Sequence, residues 1–146
     1  MLTAEHAEVK ALFKEYQKLV DAEAGDDEKE GLARQICLML TVHATTEEEI
    51  FYPAARGAIE EEDLLDEAEV EHGSAKDLIA QIEAATPKEP LYDAKVKVLS
   101  EYIEHHVKEE EHELFPKVKK SQVDLVKLGT LITARKVELM TTTAVE

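Results

Sequence analysis

The stretches His43-Ala44-Thr45-Thr46-Glu47 and His106-Val107-Lys108-Glu109-Glu110 decide how this chain is read. Each pairs an imidazole with a carboxylate four residues on. An α-helix turns once in about 3.6 residues, so such a pair stacks on one face and can reach one ion. A proline follows each histidine at the same offset, Pro53 after His43 and Pro116 after His106. Two further histidines, His6 and His72, each stand on another predicted helix. Four helices that each aim one imidazole inward, two of them adding a carboxylate, predict a dinuclear metal site inside a four-helix bundle.

Working outward from the motifs, punctuation is sparse. Five Gly and four Pro in 146 residues favour long helices. The first is expected from Thr3, as N-cap, to about Ala24, broken by Gly25-Asp26-Asp27. A second spans roughly Glu28 to Ala58, with a kink or a lost hydrogen bond near Pro53. A third covers about Leu64 to Ala85, and Thr86-Pro87-Lys88-Glu89-Pro90 forms a loop. The fourth runs from about Leu91 to Lys119. Ser121-Gln122-Val123-Asp124 reads as a capping box opening a fifth helix through about Leu139. The fold class is therefore all-α: an up-down-up-down four-helix bundle over residues 1–120, with a C-terminal helix and tail over 121–146.

The apolar stripes support this reading. His43 and Glu47 lie within a stripe of Leu32, Ile36, Leu40, Ile50 and Phe51, and Leu65, Ala68, Ala75 and Ile79 flank His72. Val96, Leu99 and Ile103 lead up to His106, and Val9, Phe13 and Val20 share a side with His6. In an antiparallel bundle all four imidazoles fall towards one end. Buried polar side chains carry a desolvation cost unless they share a purpose. The expected ligands are His6, His43, Glu47, His72, His106 and Glu110, with two carboxylates between two ions and two histidines on each. Imidazole and carboxylate without thiolate suit iron or manganese and also accept zinc.

Two alternatives stay open. Glu69 precedes His72 by three residues, an arrangement used by other carboxylate-bridged bundles, though its azimuth points off the stripe. Glu111 competes with Glu110, because Leu114 rather than Glu113 continues the apolar stripe, a slip that a π-bulge would produce. The equal histidine-to-proline offset favours Glu110. His105, His112, Glu48, Glu49 and Glu109 read as solvated.

Composition narrows the function. Seventeen Lys and Arg against thirty-three Asp and Glu give a formal charge of −16, which repels phosphate backbones and anionic lipid. Neither nucleic acid nor a membrane is an expected partner. These charges read first as a solvated helix surface and second as a field that draws in cations. No apolar run approaches a bilayer-spanning length. The first residues lack the pattern of a signal peptide, and Cys37 has no second cysteine to pair with, so a cytoplasmic location is expected.

These residues resemble the hemerythrin-like family of HHE cation-binding domains. The pattern H…HxxxE…H…HxxxE is matched by His6, His43 with Glu47, His72, and His106 with Glu110. Glu47-Glu48-Glu49-Ile50-Phe51-Tyr52-Pro53 and Glu110-Glu111-His112-Glu113-Leu114-Phe115-Pro116 look like the family's flanking segments. The resemblance implies a cofactor of two non-haem iron ions bridged by carboxylates and an oxo or hydroxo group. It implies partners such as O2, peroxide or another small oxidant. It also implies a choice among oxygen binding, peroxide decomposition of a catalase or peroxidase kind, nitric-oxide chemistry, oxygen or iron sensing, and repair of damaged iron centres. A sensor or interaction module with structural metal is a rival reading, and iron storage or delivery is a third, suggested by the acidic surface. Oxygen carriers have a fifth histidine four residues before the one matching His72. This chain has Ala68 there, which implies a site with two histidines per ion and an extra open position.

Overall fold

The computed structural model describes residues 2–60, 62–121 and 123–145. Among the described residues seven α-helical segments follow one another: α1 (Leu2–Asp21), α2 (Asp26–Thr46), α3 (Tyr52–Arg56), α4 (Glu62–Ala84), α5 (Tyr92–Glu109), α6 (Phe115–Lys120) and α7 (Leu125–Val145). α2 and α3 are joined through a π-helical turn, Glu47–Phe51, and α5 and α6 through another, Glu110–Leu114. The backbone stays right-handed helical through both joins, so each pair forms one rod. α1 packs on α2, α2 on α4, α4 on α5 and α5 back on α1, which closes a four-helix ring.

The helix ends differ from the sequence expectation in explicable ways. α1 stops at Asp21, and Glu23 adopts a left-handed backbone with φ 51°. The turn therefore precedes Gly25, which serves as N-cap of α2. The π turn in the second rod was not anticipated. Its cause is Pro53, which has no N–H to donate and whose ring would strike the carbonyl four residues back. The Tyr52 N–H instead bonds the Glu47 carbonyl, five residues back. The fourth rod repeats the device: the Phe115 N–H bonds the Glu110 carbonyl just before Pro116. Ser121 does not open the last helix. Asp124 caps it, its Oδ1 accepting the Lys127 N–H at 3.0 Å, while the Ser121 hydroxyl bonds the Val118 carbonyl. Gln122, inside the expected capping box, lies outside the described residues.

Two apolar layers fill the bundle. One contains Val9, Ile36, Leu40, Ala75, Ile79, Val96 and Leu99; the other contains Leu2, Phe51, Tyr52, Leu65, Ala68 and Leu114. α7 belongs to the second layer through Leu128 and Ile132, and it lies against α2 and the first π turn. Along each rod the histidine falls where one layer gives way to the other: His6 between Leu2 and Val9, His72 between Ala68 and Ala75. The polar residues thus form a belt between two hydrophobic plugs. At the far end, the Tyr16 hydroxyl donates to Asp93 at 2.7 Å and Lys29 meets the same carboxylate at 3.0 Å, tying α1, α2 and α5 together. Cys37 is buried in the first layer, where loss of solvation raises its thiol to about 12.

Candidate metal centre

Six side chains meet in the belt, and all are buried: His6 from α1, His43 from α2, Glu47 from the first π turn, His72 from α4, His106 from α5 and Glu110 from the second π turn. Their ligand atoms fall into two overlapping groups. His6, His43, Glu47 and Glu110 form one, and His72, His106, Glu47 and Glu110 form the other. The His6 and His43 Nε2 atoms stand 3.2 Å apart, as do those of His72 and His106. Glu110 places Oε1 at 3.2 Å from His6 and Oε2 at 3.0 Å from His106, one oxygen towards each pair. Glu47 puts Oε1 between the pairs, 3.1 Å from His43 and 3.3 Å from His72.

This donor set fits metal. Bonds of about 2.1 Å place neighbouring ligand atoms about 3.0 Å apart in an octahedron and about 3.4 Å apart in a tetrahedron, the spacing seen here. Among the described residues, both oxygens of Glu47 and Oε1 of Glu110 are buried without a hydrogen-bond partner. Buried carboxylate oxygens carry a large desolvation penalty unless a cation meets them. Glu69 is not among the six; it is exposed and lies 3.7 Å from Arg56. The contest between Glu110 and Glu111 ends with both used: Glu110 is inside, and Glu111 bonds the outer face of His6 at 3.3 Å. The π turn begins at Glu110 rather than before it, so the His106–Glu110 pair keeps α-helical spacing.

Every histidine of the belt has its Nδ1 on a carboxylate. Glu5 holds His43 at 2.8 Å, Glu48 holds His72 at 3.2 Å, Glu71 holds His106 at 3.1 Å, and Glu111 holds His6. Such partners orient imidazoles and strengthen them as ligands. Sequence reasoning missed Glu5 and Glu71, read Glu48 as solvated, and weighed Glu111 only as a ligand in place of Glu110. The available signal was position: each stands immediately beside a residue of the belt, before His6 and His72 and after Glu47 and Glu110. Adjacent helical residues point about a hundred degrees apart, so each serves the neighbouring rod rather than its own histidine.

The contacts repeat in two halves. Glu5 on His43 matches Glu71 on His106, and Glu48 on His72 matches Glu111 on His6. The half-sites differ at one aromatic position. Phe115 stacks flat on His6 with rings 5.8 Å apart, whereas its counterpart Tyr52 lies 5.3 Å from His72 and brings a hydroxyl. That hydroxyl donates to Glu110 and stands 3.1 Å from His72 Nε2 and 3.3 Å from His106 Nε2. Ala68 packs in the same apolar layer as Tyr52. The position expected to be open beside Ala68 therefore has a phenol next to it. Burial, then the charges of Glu47 and Glu110, push the Tyr52 phenol far up, so it stays protonated and donates. Tyr52→Phe is expected to destabilise the metal-free protein by about 1.5–3 kcal/mol, the worth of a hydrogen bond to a charged group. Urea unfolding in the presence of chelator measures it, and a change below about 0.5 kcal/mol would mean that the hydroxyl contributes little.

Electrostatics bind the belt together without metal. Burial alone would lower His43, but Glu47, Glu5 and Glu110 outweigh it and raise the imidazole to about 10. His106 is likewise raised to about 12 by Glu110, Glu47 and Glu71 against its burial. Burial opposes ionisation of Glu47, yet His43, Glu110 and His106 hold it well below the carboxylate range.

Immediately above the belt lies a chamber of about 40 Å³. All four histidines border it, and its remaining wall is largely apolar, including Val9, Leu40, Ala75, Ile79, Ile103 and Val107.

The comparisons with known proteins agree with this architecture. The Hemerythrin HHE cation binding domain profile matches residues 1–118. A crystal structure of a hemerythrin HHE cation binding domain-containing protein from Mycobacterium kansasii superposes with a TM-score of 0.78, covering 97% of this chain and 85% of that one at 22% identity. A curated relative, described as a DNA nickase from Nostoc sp., is 32% identical over 119 residues. That match takes in 82% of this chain but 32% of the relative, so the chain spans about a third of that protein's length. With a profile matched across its bundle and a buried His and Glu belt between its helices, the chain belongs to the hemerythrin HHE cation-binding domain family.

Proposed function

We propose that this protein binds a pair of non-haem iron ions and presents them to O2 or a related small oxidant, with peroxide decomposition as the associated activity. His6 and His43 would hold one ion and His72 and His106 the other, with Glu47 and Glu110 shared. Such a pair supplies two adjacent redox-active Lewis acids when bound. The observation that carries the reading is the chamber. At about 40 Å³, bordered by four imidazoles and otherwise largely apolar, it suits a molecule of two or three heavy atoms and excludes an organic substrate.

The chain's own residues divide the remaining work. The four outer carboxylates keep each Nδ1 occupied, so Nε2 is the nitrogen left for metal. Val9, Leu40 and Ile79 keep the chamber dry. A groove of about 630 Å³ between α1 and α5 shares His6, Ile103 and Val107 with the chamber, and offers the approach from solvent. Phe115 brings no polar group to the His6 half, whereas Tyr52 crowds the His72 half, so exogenous ligand is assigned to the ion held by His6 and His43.

The test is anaerobic ferrous loading, elemental analysis, and then optical spectra and peroxide consumption. About two irons per chain and turnover of peroxide are expected. Ala75→Leu, which fills the chamber, should keep the iron and slow turnover about tenfold or more. Full iron with no response to O2 or peroxide would overturn the oxidant reading in favour of structural metal in a sensor.

A further inference from the structure

The sequence His105-His106-Val107-Lys108-Glu109-Glu110 holds two interleaved HxxxE pairs, one residue apart. His106 and Glu110 face the belt. His105 and Glu109 are turned about a hundred degrees outward and meet on the surface, with His105 Nε2 at 3.2 Å from Glu109 Oε1. A third donor comes from α4: Glu71 Oε2 lies 3.5 Å from the same nitrogen. The three ligand atoms form a compact group, and both spacings match the edges of a tetrahedral site with bonds of about 2.1 Å. Glu71 also touches the inner belt, because its Oε1 bonds His106 Nδ1 at 3.1 Å.

The repeat between the two halves says what should stand beside Glu71. Its counterpart Glu5 uses Oε1 in the same way, on His43 Nδ1 at 2.8 Å, and its Oε2 faces the ammonium of Lys136 at 3.6 Å. Lys136 belongs to α7, which packs on α2 and the first π turn. In the other half the corresponding place beside Glu71 is bordered by His105 and Glu109, whose counterparts are the buried Val42 and Thr46. One half thus supplies a cation to the outer oxygen from its own chain. The other supplies two more metal-binding side chains.

We infer that Glu71, His105 and Glu109 form a second, surface site for a divalent transition-metal cation such as Zn²⁺ or Fe²⁺, joined to the inner belt through Glu71. The donor set of one imidazole and two carboxylates suits either ion, with water completing the shell at the exposed edge. The site takes a cation where the other half uses Lys136, and it neutralises two carboxylates that share one neighbourhood. Glu71 would then carry charge on one oxygen while still orienting His106 with the other.

The test is a calorimetric titration of iron-loaded protein with Zn²⁺, with iron retained at the end measured by elemental analysis. Wild type should take up one further equivalent of zinc with no iron released. The double variant His105→Val, Glu109→Thr gives this half the residues that the other half carries. It should keep its iron and bind that zinc at least tenfold more weakly. Both positions reach solvent, and circular dichroism confirms that the variant is folded. Absence of extra zinc in wild type overturns the inference, as does equal uptake by the double variant or uptake matched by iron release. The titration repeated on metal-free protein separates the two centres. Zinc lost on changing His105 and Glu109 reports the outer site even if the inner belt takes no iron.

Discussion

Glu47→Gln or Glu110→Gln is expected to leave well under one iron per chain after anaerobic ferrous loading and desalting, against about two in wild type. Each carboxylate belongs to both groups of ligand atoms, so neutralising either weakens both halves together. Both sit in full burial, 0% and 2% exposed, where no water replaces the lost charge. An amide keeps the shape and one donor oxygen but carries no charge to offset a dication, which makes the loss electrostatic rather than steric. Glu48→Gln and Glu111→Gln act on the far nitrogens of His72 and of its counterpart His6. Those changes are expected to cost about 10–100-fold in affinity while leaving the centre fillable at excess iron. Glu69→Gln should change nothing, because that side chain is exposed beside Arg56. Elemental analysis with circular dichroism as the control for folding decides the matter. Equal iron loss from Glu47→Gln and Glu48→Gln would mean that the two residues are not divided into inner and outer roles.

Metal loading near neutral pH is expected to expel at least two protons per chain, and affinity should climb steeply with pH. In the metal-free protein His43 is raised to about 10 and His106 to about 12, so both carry a proton at pH 7. A metal requires the Nε2 lone pair, and those protons must leave as it binds. The same groups make the metal-free fold sensitive to alkali. A histidine whose folded value exceeds its unfolded 6.5 contributes stability that is fully present below pH 6.5 and is lost progressively as pH rises through about 10 for His43. Glu47, lowered in the fold from 4.5, contributes above that value and loses its contribution as pH falls through its depressed folded value. The metal-free protein should therefore be most stable between about pH 4.5 and 6.5, and iron-loaded protein should not share the decline above it. Chelator-treated and loaded samples unfolded by urea near pH 6 and near pH 9 measure the difference. An indicator dye in weak buffer counts the protons released. Metal-free stability that rises between those pH values would refute the account.

Helix number and direction, the bundle and the six inward residues could be read from local regularities. Period 3.6 made stripes visible, and a polar residue recurring once per stripe marked one layer of the core. The equal spacing from His43 to Pro53 and from His106 to Pro116 also identified Glu110, even though the stripe slipped. The slip itself was placed imperfectly. A π turn depends on where a proline-broken hydrogen bond relaxes, and that is settled by the backbone around Pro53 and Pro116 jointly with the packing of Phe51 and Leu114. Glu5, Glu48 and Glu71 were invisible as partners because each acts on another rod, and Glu111 was legible only as a rival of Glu110 for the inner position.

By itself, then, the order of residues determined which side chains share a face, because covalent spacing and helical pitch are all that such a relation needs. Contacts between rods required the tertiary structure. Packing of α4 against α5 brought Glu71 to His106 and His105, and the lie of α7 on α2 brought Lys136 to Glu5. The same packing set the Tyr52 hydroxyl beside Glu110 and left a chamber of about 40 Å³ over the belt. Spacing along one helix repeats with its pitch, whereas the offset between two helices depends on how whole apolar surfaces interlock, and no short stretch of sequence encodes that sum.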